Sequence, residues 1–306
     1  MFVSRTGAVI AAASEQSSRH MLKTDGITIL KRIVITMQQV GIFPIVIIAG
    51  VDSDQVRDEM SGYGVIFLDT VITRSPAVTD SLELGLSCLT GKCERVMITP
   101  VSVPMVSPQT LIKMIRTEGD IVKPACQGRV GHPILLSARM AEEIRDRDWQ
   151  EGLGEVLDTY RERTSLVETD DPGILMNVRN EKEMRRYLKQ HNNTILRPRV
   201  ELTINKEYAF FDGRAKLLLY LIDDTQNVRH ACKMMGLSYS KAWNILNGLE
   251  KEFGWKVVER SRGGAKGGVT RLTGRGQRFI QSYQQFEEEL SLLAQNRFLE
   301  VYEEFI

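Results

Sequence analysis

The stretch TPVSVPMVSP, Thr99 to Pro108, follows the apolar run RVMI and reads as a strand that opens into a loop and then a helix. In an α/β fold that is where a site is built. Its tip carries no acid, base or thiol, only Ser102. Other reactive groups do not assemble around it in the sequence. The four histidines are scattered, with no HExxH, which argues against zinc, and the four cysteines contain no CxxC pair. Asp69, Asp80, Asp170 and Asp171 are the carboxylates close enough in the sequence pattern to take a catalytic or metal-binding part. A different chemistry is offered by SRGGAKGGVTR, where four glycines separate Arg262, Lys266 and Arg271. Glycines let a loop lie close along a backbone, and the cations pair with phosphates. The run lacks the Gly-Lys-Ser/Thr ending of a nucleotide phosphate loop. Gly62–Tyr63–Gly64 reads as a turn before a strand and not as a dinucleotide signature.

These groups need elements to hold them. Over the first 190 residues the apolar pattern alternates between strand and helix. GAVIAA, PIVIIAG, VIFLDT, RVMITPV, DIVKPAC and SLVETD read as strands. Between them, ITILKRIVITMQQVG, SDQVRDEM, TDSLELGLSCL, SPQTLIKMIRTE, GLGEVLDTYRER and NEKEMRRYLKQH read as helices. Thr79 or Asp80 is the expected cap of the third helix; Ser107, with Pro108 behind it, is the expected cap of the fourth. Such alternation predicts a three-layer α/β domain with a mostly parallel sheet over residues 1–195. The polar stretch HNNTILRPRVELTINKEYAF then breaks the rhythm and sets the boundary, with a second domain over 196–306.

The second domain reads helix, helix, helix, glycine-tipped hairpin, long helix. Asn227 caps the second helix and Gly236 stops it. Ser238 caps the third, whose Ala242, Ile245, Leu246 and Leu249 form one apolar stripe. This is the plan of a winged helix-turn-helix, with the third helix as the recognition helix. Ser238, Tyr239, Ser240, Lys241 and Asn244 on that helix, and Arg262, Lys266 and Arg271 on the wing, are the candidate DNA contacts. Trp243 and Asn247 share the outward side; Trp243 reads either as packing or as a DNA contact. Charge agrees: although the whole chain has a net charge of only +1, residues 205–283 hold fourteen Lys/Arg against seven Asp/Glu. On the long last helix, Phe279, Tyr283, Phe286, Leu290 and Leu293 follow a 4-3-4-3 spacing, a coiled-coil-like dimerisation seam.

The segments SYSKAWNILNGLEK and VVERSRGGAKGGVTRLTGRGQRFI, with the helix after them, closely resemble the DNA-binding domain of the molybdate-dependent transcriptional regulators of the ModE type. The resemblance implies a homodimer on a palindromic double-stranded operator. In that family molybdate-binding domains follow the helix. Here the sequence ends at Ile306, and the expectation is that another domain takes the sensor's part.

Residues 7–191 resemble the nucleotidyltransferases that attach a nucleotide to molybdopterin (MobA-like) and, more distantly, sugar-nucleotide pyrophosphorylases. ITPVSVPMVSP, GRVGHPILLS and DDPGILMNVRNEKEM carry this resemblance. It implies Mg²⁺ held by two aspartates, which fall here on Ser102 and Asn177, both uncharged. It implies a glycine-rich nucleotide loop, yet no glycine lies between Gly7 and Gly26; Arg19, Met21 and Lys23 are its possible remnants. Gly131 and His132 correspond to a substrate-facing Gly-His-Pro.

The expected function is thus a DNA-binding transcriptional regulator whose degenerate nucleotidyltransferase-like domain senses a ligand or a partner. Arg19, Lys23, Ser102, Gly131, His132 and Asn177 are the ligand-site candidates, for a nucleotide, a pterin or a related metabolite, with no metal and no catalytic residue assigned. The rival is an active Mg²⁺-dependent cytidylyl- or guanylyltransferase that also regulates, with Mg²⁺ and a nucleotide as cofactors. A third is a structural dimer whose first domain only assembles. No run of about 18 apolar residues occurs, so no membrane span is expected, and the cysteine usage suits a reduced cytoplasm.

Overall fold

The computed structural model of the chain describes residues 4–12, 23–24, 26–50, 53–69, 78–147, 152–178, 181–261 and 269–302. The chain divides into two compact units, residues 2–196 and 197–306.

In the first unit, β1 (Ser4–Ala11) is followed by the short β2 (Lys23–Thr24) and β3 (Ile27–Thr28). Then come α1 (Ile29–Gln39), β4 (Ile45–Ala49), α2 (Ser53–Glu59), β5 (Ile66–Asp69), α3 (Val78–Leu89), β6 (Cys93–Pro100) and α4 (Pro108–Arg116). They are followed by β7 (Ile121–Cys126), β8 (Arg129–Val130), β9 (Ile134–Ser137), α5 (Ala138–Arg145), α6 (Leu153–Asp158), β10 (Thr164–Glu168) and α7 (Glu181–Thr194). The main sheet runs β10-β7-β9-β6-β1-β4-β5, with β8 paired to β7. The β1–β4, β1–β6, β4–β5 and β7–β10 pairings are parallel. β1 lies mid-sheet with Ala8, Val9 and Ile10 fully buried, and all of β4 is buried. Both therefore read as unbroken apolar runs.

β9 is antiparallel to both neighbours, β6 and β7, and the sequence reading has neither it nor β8 nor α5. A tight hairpin makes it possible: Gln127 and Gly128 both have positive φ between paired Cys126 and Arg129. Two other expectations are corrected. α3 begins at Val78, so Thr79 and Asp80 lie in its first turn and not at the cap. The helix read over GLGEVLDTYRER ends at Asp158 and resumes only as a 3-10 turn, Arg161–Arg163. Ser107 does cap α4, accepting from the Thr110 N–H, with Pro108 at the first position.

α7 returns to α1 through a buried polar contact. Arg32, fully buried on α1, donates to Nδ1 of His191 at 3.4 Å and to Oδ1 of Asn192 at 2.6 Å. The His191 Nε2 then donates to the Val106 carbonyl at 3.2 Å. This arrangement needs a neutral imidazole with its proton on Nε2.

The second unit holds a small ladder, β11 (Ile204–Asn205) with β12 (Ala209–Phe211). It continues with α8 (Gly213–Thr225), α9 (Val228–Met235), α10 (Tyr239–Phe253), the antiparallel hairpin β13 (Val258–Ser261) and β14 (Val269–Leu272), and α11 (Gly274–Tyr302). Asn227 caps α9 by accepting from the Arg229 and His230 N–H groups, and Gly236 ends it with φ 64°. Ser238 caps α10. Ala242, Leu246 and Leu249 are fully buried and Ile245 half-buried, so the stripe faces the core.

Burial, opposed only in part by the Val106 carbonyl, pushes the His191 imidazole down to about 4. Between that value and the ordinary ~6.5 the unfolded chain binds a proton that the folded chain does not. Stability from this group is therefore full above about pH 6.5 and is lost as pH falls toward 4, by at most on the order of 3 kcal/mol. Denaturant unfolding of the first unit followed from neutral to acid pH should show this loss, and His191→Gln should flatten the slope over that window.

Candidate functional site

The loops that leave the sheet bring three segments together. β6 ends at Pro100, and the chain continues through Ser102 to the α4 cap at Ser107. The segment after β10 forms a 3-10 turn, Pro172–Leu175, and then runs through Asn177 to Val178. The Val178 N–H donates to the Ser102 carbonyl at 2.9 Å. Ser102 and Asn177, 75 positions apart, are thereby neighbouring rungs of one backbone contact, both half-buried. The third segment is Gly131–Pro133, where the His132 N–H donates to the Ile174 carbonyl at 3.0 Å.

These backbones touch closely enough to demand glycine. A Cβ on Gly131 would lie 2.4 Å from the Ile174 carbonyl oxygen, and one on Gly173 would lie 1.9 Å from that of Met105. No other residue fits without moving main chain.

Asp171 ties the segments. Its Oδ2 accepts from the Ser107 N–H and the Thr110 hydroxyl, each at 2.8 Å. Its Oδ1 accepts from the Gly173 N–H at 2.8 Å and from the Tyr187 hydroxyl, on α7, at 3.0 Å. The residue is 6% exposed. Burial and the Asp171 charge both push the Tyr187 phenol well above its usual range, so it stays a donor. The sequence reading holds Asp171 available for chemistry; the structure corrects this, since all four acceptor directions are taken by protein donors.

The remaining candidates are spread out. Asp170 is exposed. Asp69 pairs with Arg57 at 2.5 Å. Lys23 is exposed on β2, and its charge, with that of Lys31, helps hold the Glu59 carboxyl below its usual range, where the Lys31 hydrogen bond is the larger cause. Arg19 lies outside the described residues. The His132 Nδ1 is buried without a hydrogen-bond partner. Burial, and then the Lys123 charge, lowers its pKa, so it is neutral near pH 7. Among the described residues no three His, Cys, Asp or Glu side chains assemble as a metal site.

The second unit presents a different surface. Ser238, Tyr239, Ser240, Lys241 and Asn244 are all exposed at the α10 N-terminal end. Neither α9 nor α10 has an acid in its first turn, so the positive ends of both dipoles are left without internal counter-charge there. Arg271 is exposed but committed: its Nε donates to Gln226 Oε1 at 2.9 Å, beside the Thr270 N–H to Gln226 carbonyl bond that fastens the hairpin to α8. Arg262 and Lys266 lie outside the described residues. Trp243 is half-buried, with the Arg260 guanidinium 3.6 Å from its ring centroid. The sequence does not point to Arg260 and Arg229; only the fold places them beside α10. The stretch expected to form a dimerisation seam is divided. Phe279 packs on Phe211, Phe253 and Trp255, and Tyr283 is buried on Phe211 with its hydroxyl donating to the Leu202 carbonyl at 2.5 Å. Those two positions belong to the unit's own core. Phe286 and Leu293 are exposed, at 52% and 65%, and Leu290 is half-buried.

Comparison with known proteins finds different relatives for the N-terminal and C-terminal regions. The MobA-like NTP transferase domain family matches residues 10–164. A nucleotidyl transferase from Methanothermobacter superimposes with a TM-score of 0.54 at 20% identity, covering 62% of this chain and 99% of that one. The Mycobacterium tuberculosis H37Rv protein Rv0371c, in its complex with manganese, gives 0.50 at 21% identity, covering 61% and 100%. These likenesses show a shared fold. Over the C-terminal region the chain is similar to the transcriptional regulator ModE of Yersinia pestis, 36% identical over 78 residues, 26% of this chain and 30% of that protein. ModE of Haemophilus influenzae is 34% identical over 87 residues, 28% and 34%. The chain thus spans about a third of the length of the curated relatives it matches.

Because Asp171 serves four donors, truncating it leaves several buried polar groups unmatched. Asp171→Ala should destabilise the first unit by about 3 kcal/mol or more, and Asp171→Asn by less, as read from denaturant midpoints at constant m-value.

Proposed function

The chain belongs to the MobA-like NTP transferase family by its N-terminal unit, and from that premise we propose a DNA-binding transcriptional regulator in which this unit senses a ligand and no longer transfers a nucleotide. The observation that carries the reading is the Ser102–Asn177 juncture. The resemblance places the two metal carboxylates of the family at these positions, and the Val178 to Ser102 hydrogen bond makes them neighbours. A hydroxyl and an amide supply no negative charge to draw Mg²⁺ from water. The adjacent Asp171 cannot substitute, because its lone pairs are engaged. A divalent cation does not fit this donor set, and no catalytic step is assigned to one. Beside this juncture the buried His132 Nδ1 has no hydrogen-bond partner, an unmet polar group that suits recognition of a neutral or anionic metabolite such as a nucleotide or pterin.

The second unit supplies the output. Capped helices, an α10 N-terminus carrying hydroxyl and ammonium groups, and a hairpin fastened beside it suit a duplex DNA major groove and its flanking phosphates. A palindromic operator calls for a second copy of the chain. The exposed Phe286, Leu292 and Leu293 on α11 offer the apolar surface for it.

Three measurements test the reading. Calorimetry with Mg²⁺ or Mn²⁺ should show no binding to the wild-type chain, whereas the Ser102→Asp/Asn177→Asp double variant should acquire it. Pyrophosphate release from CTP or GTP by the wild type would establish the enzyme instead. Mobility shift on fragments enriched from sheared genomic DNA should show binding that weakens steeply with added salt. Affinity that is insensitive to salt would remove the regulator reading.

A further inference from the structure

Along the outer face of α10, Tyr239, Trp243 and Asn247 recur at a spacing of four and so lie in one row. Opposite them stand Arg260 and Ser261 of β13 and Val269 and Thr270 of β14. Together these residues line an open groove of about 580 Å³ between helix and hairpin. Two of these rings and two arginines, Arg260 in the groove and Arg229 of α9 beside it, form a connected row. The Arg229 guanidinium lies 5.2 Å from the Tyr239 ring centroid. Tyr239 meets Trp243 edge to face, with centroids 5.9 Å apart and planes at 82°. Arg260 lies over Trp243 at 3.6 Å.

We propose that this Arg229–Tyr239–Trp243–Arg260 ladder is a phosphate clamp, which holds the backbone of one DNA strand along the groove between recognition helix and wing. The proposal rests on the DNA-binding reading above and names the residues that grip. Both arginines are exposed, and neither makes an ion pair among the described residues, unlike Arg57, Arg145, Arg163 and Arg297, each of which has a carboxylate. Their charge is therefore available to an outside anion. At 3.6 Å the Arg260 guanidinium meets the Trp243 ring by its face, which leaves its in-plane N–H donors, the ones that fit phosphate oxygens, free of the ring; Arg229 lies farther from Tyr239, at 5.2 Å. The ring also fixes the plane, so a long exposed side chain is held ready. Tyr239 and Trp243 act as positioning residues for the two cations. Lys241, exposed on the same turn of α10, adds to the positive field, and no acid stands in the first turn of α9 or α10 to oppose it. This answers the two readings of Trp243 left open in the sequence. It does not grip DNA by itself; it carries the residue that does.

The test uses the full-length chain and a fluorescent duplex enriched by the wild type from sheared genomic DNA, with affinity measured across a salt series. Arg260→Ala should weaken binding about tenfold and reduce the slope of log K against log salt by about one. Arg229→Ala should do likewise. Arg260→Lys, which keeps the charge and loses the plane, should keep the slope and fall between. Trp243→Phe should retain most of the affinity. Trp243→Ala should weaken binding, and adding Arg260→Ala to it should cost little more, a non-additivity that a merely structural tryptophan would not give. Unchanged melting temperatures for the arginine variants would separate these effects from misfolding. If wild-type protein binds and Arg260→Ala matches it in affinity and salt slope, the clamp is overturned while the regulator reading stands. If the wild type enriches no DNA, both fall.

Discussion

A buried carboxylate that accepts four hydrogen bonds sets the form of the first unit's loop edge. Asp171 gathers the amide that starts α4, a hydroxyl one turn into α4, the amide of the 172–175 turn and a phenol on α7. An ionised carboxylate has only acceptors, and each of its four lone-pair directions is met by a donor. Satisfied in this way, a buried charge becomes a fixed node and not a liability. The remaining geometry follows from it. The 172–175 turn can press on the 102–107 loop only where Gly173 lacks a side chain, and the Gly131 segment can approach the same turn only for the same reason. Ser102 and His132 are then held by backbone hydrogen bonds, and Asn177 directly precedes Val178, whose N–H makes one of them.

That division of labour bears on how such a site changes its task. When the scaffold residues and the chemical residues are the same, loss of chemistry unfolds the site. Here they are different. On the sensor reading proposed above, exchange of a metal carboxylate for Ser102 or Asn177 would leave the Asp171 node, both glycines and the Val178–Ser102 bond in place. A backbone frame can outlast the reaction it once positioned, and selection can then act on binding alone.

Much of this was legible in the sequence because local signals and tertiary structure agree. Caps at Ser107, Asn227 and Ser238, the buried apolar runs of β1 and β4, and the stripe on α10 all gave their elements directly. The failures share a cause as well. β9 is four residues long, and its antiparallel place between β6 and β7 depends on a Gln-Gly turn that announces a hairpin less strongly than Asn-Gly does. The 4-3-4-3 spacing on α11 is real, but spacing does not say which neighbour is served. Its first two aromatics meet Phe211, which arrives from β12, an element too short to weigh from sequence. Asp171 read as a free acid because its donors come from positions 64 residues before it and 16 after. Nothing in the sequence singles out Arg260, because the ring beneath it belongs to another element.

The split on α11 also constrains how ligand and DNA sites could be linked. Tyr283 buries its ring on Phe211 of β12 and donates to the Leu202 carbonyl just before β11, so the first third of α11 is fixed to the opening segment of the second unit. Leu292 and Leu293, beyond the core, have no such fixing and remain open to water. A dimer contact made there would be carried on a helix whose base is rigid, so the spacing between two recognition helices would follow the angle of that helix. A ligand in the first unit changes DNA affinity only if it binds better to one arrangement of the dimer than to another. The useful quantity is therefore differential affinity and not tightness. A metabolite bound equally well in both arrangements would raise the melting temperature and leave the operator untouched.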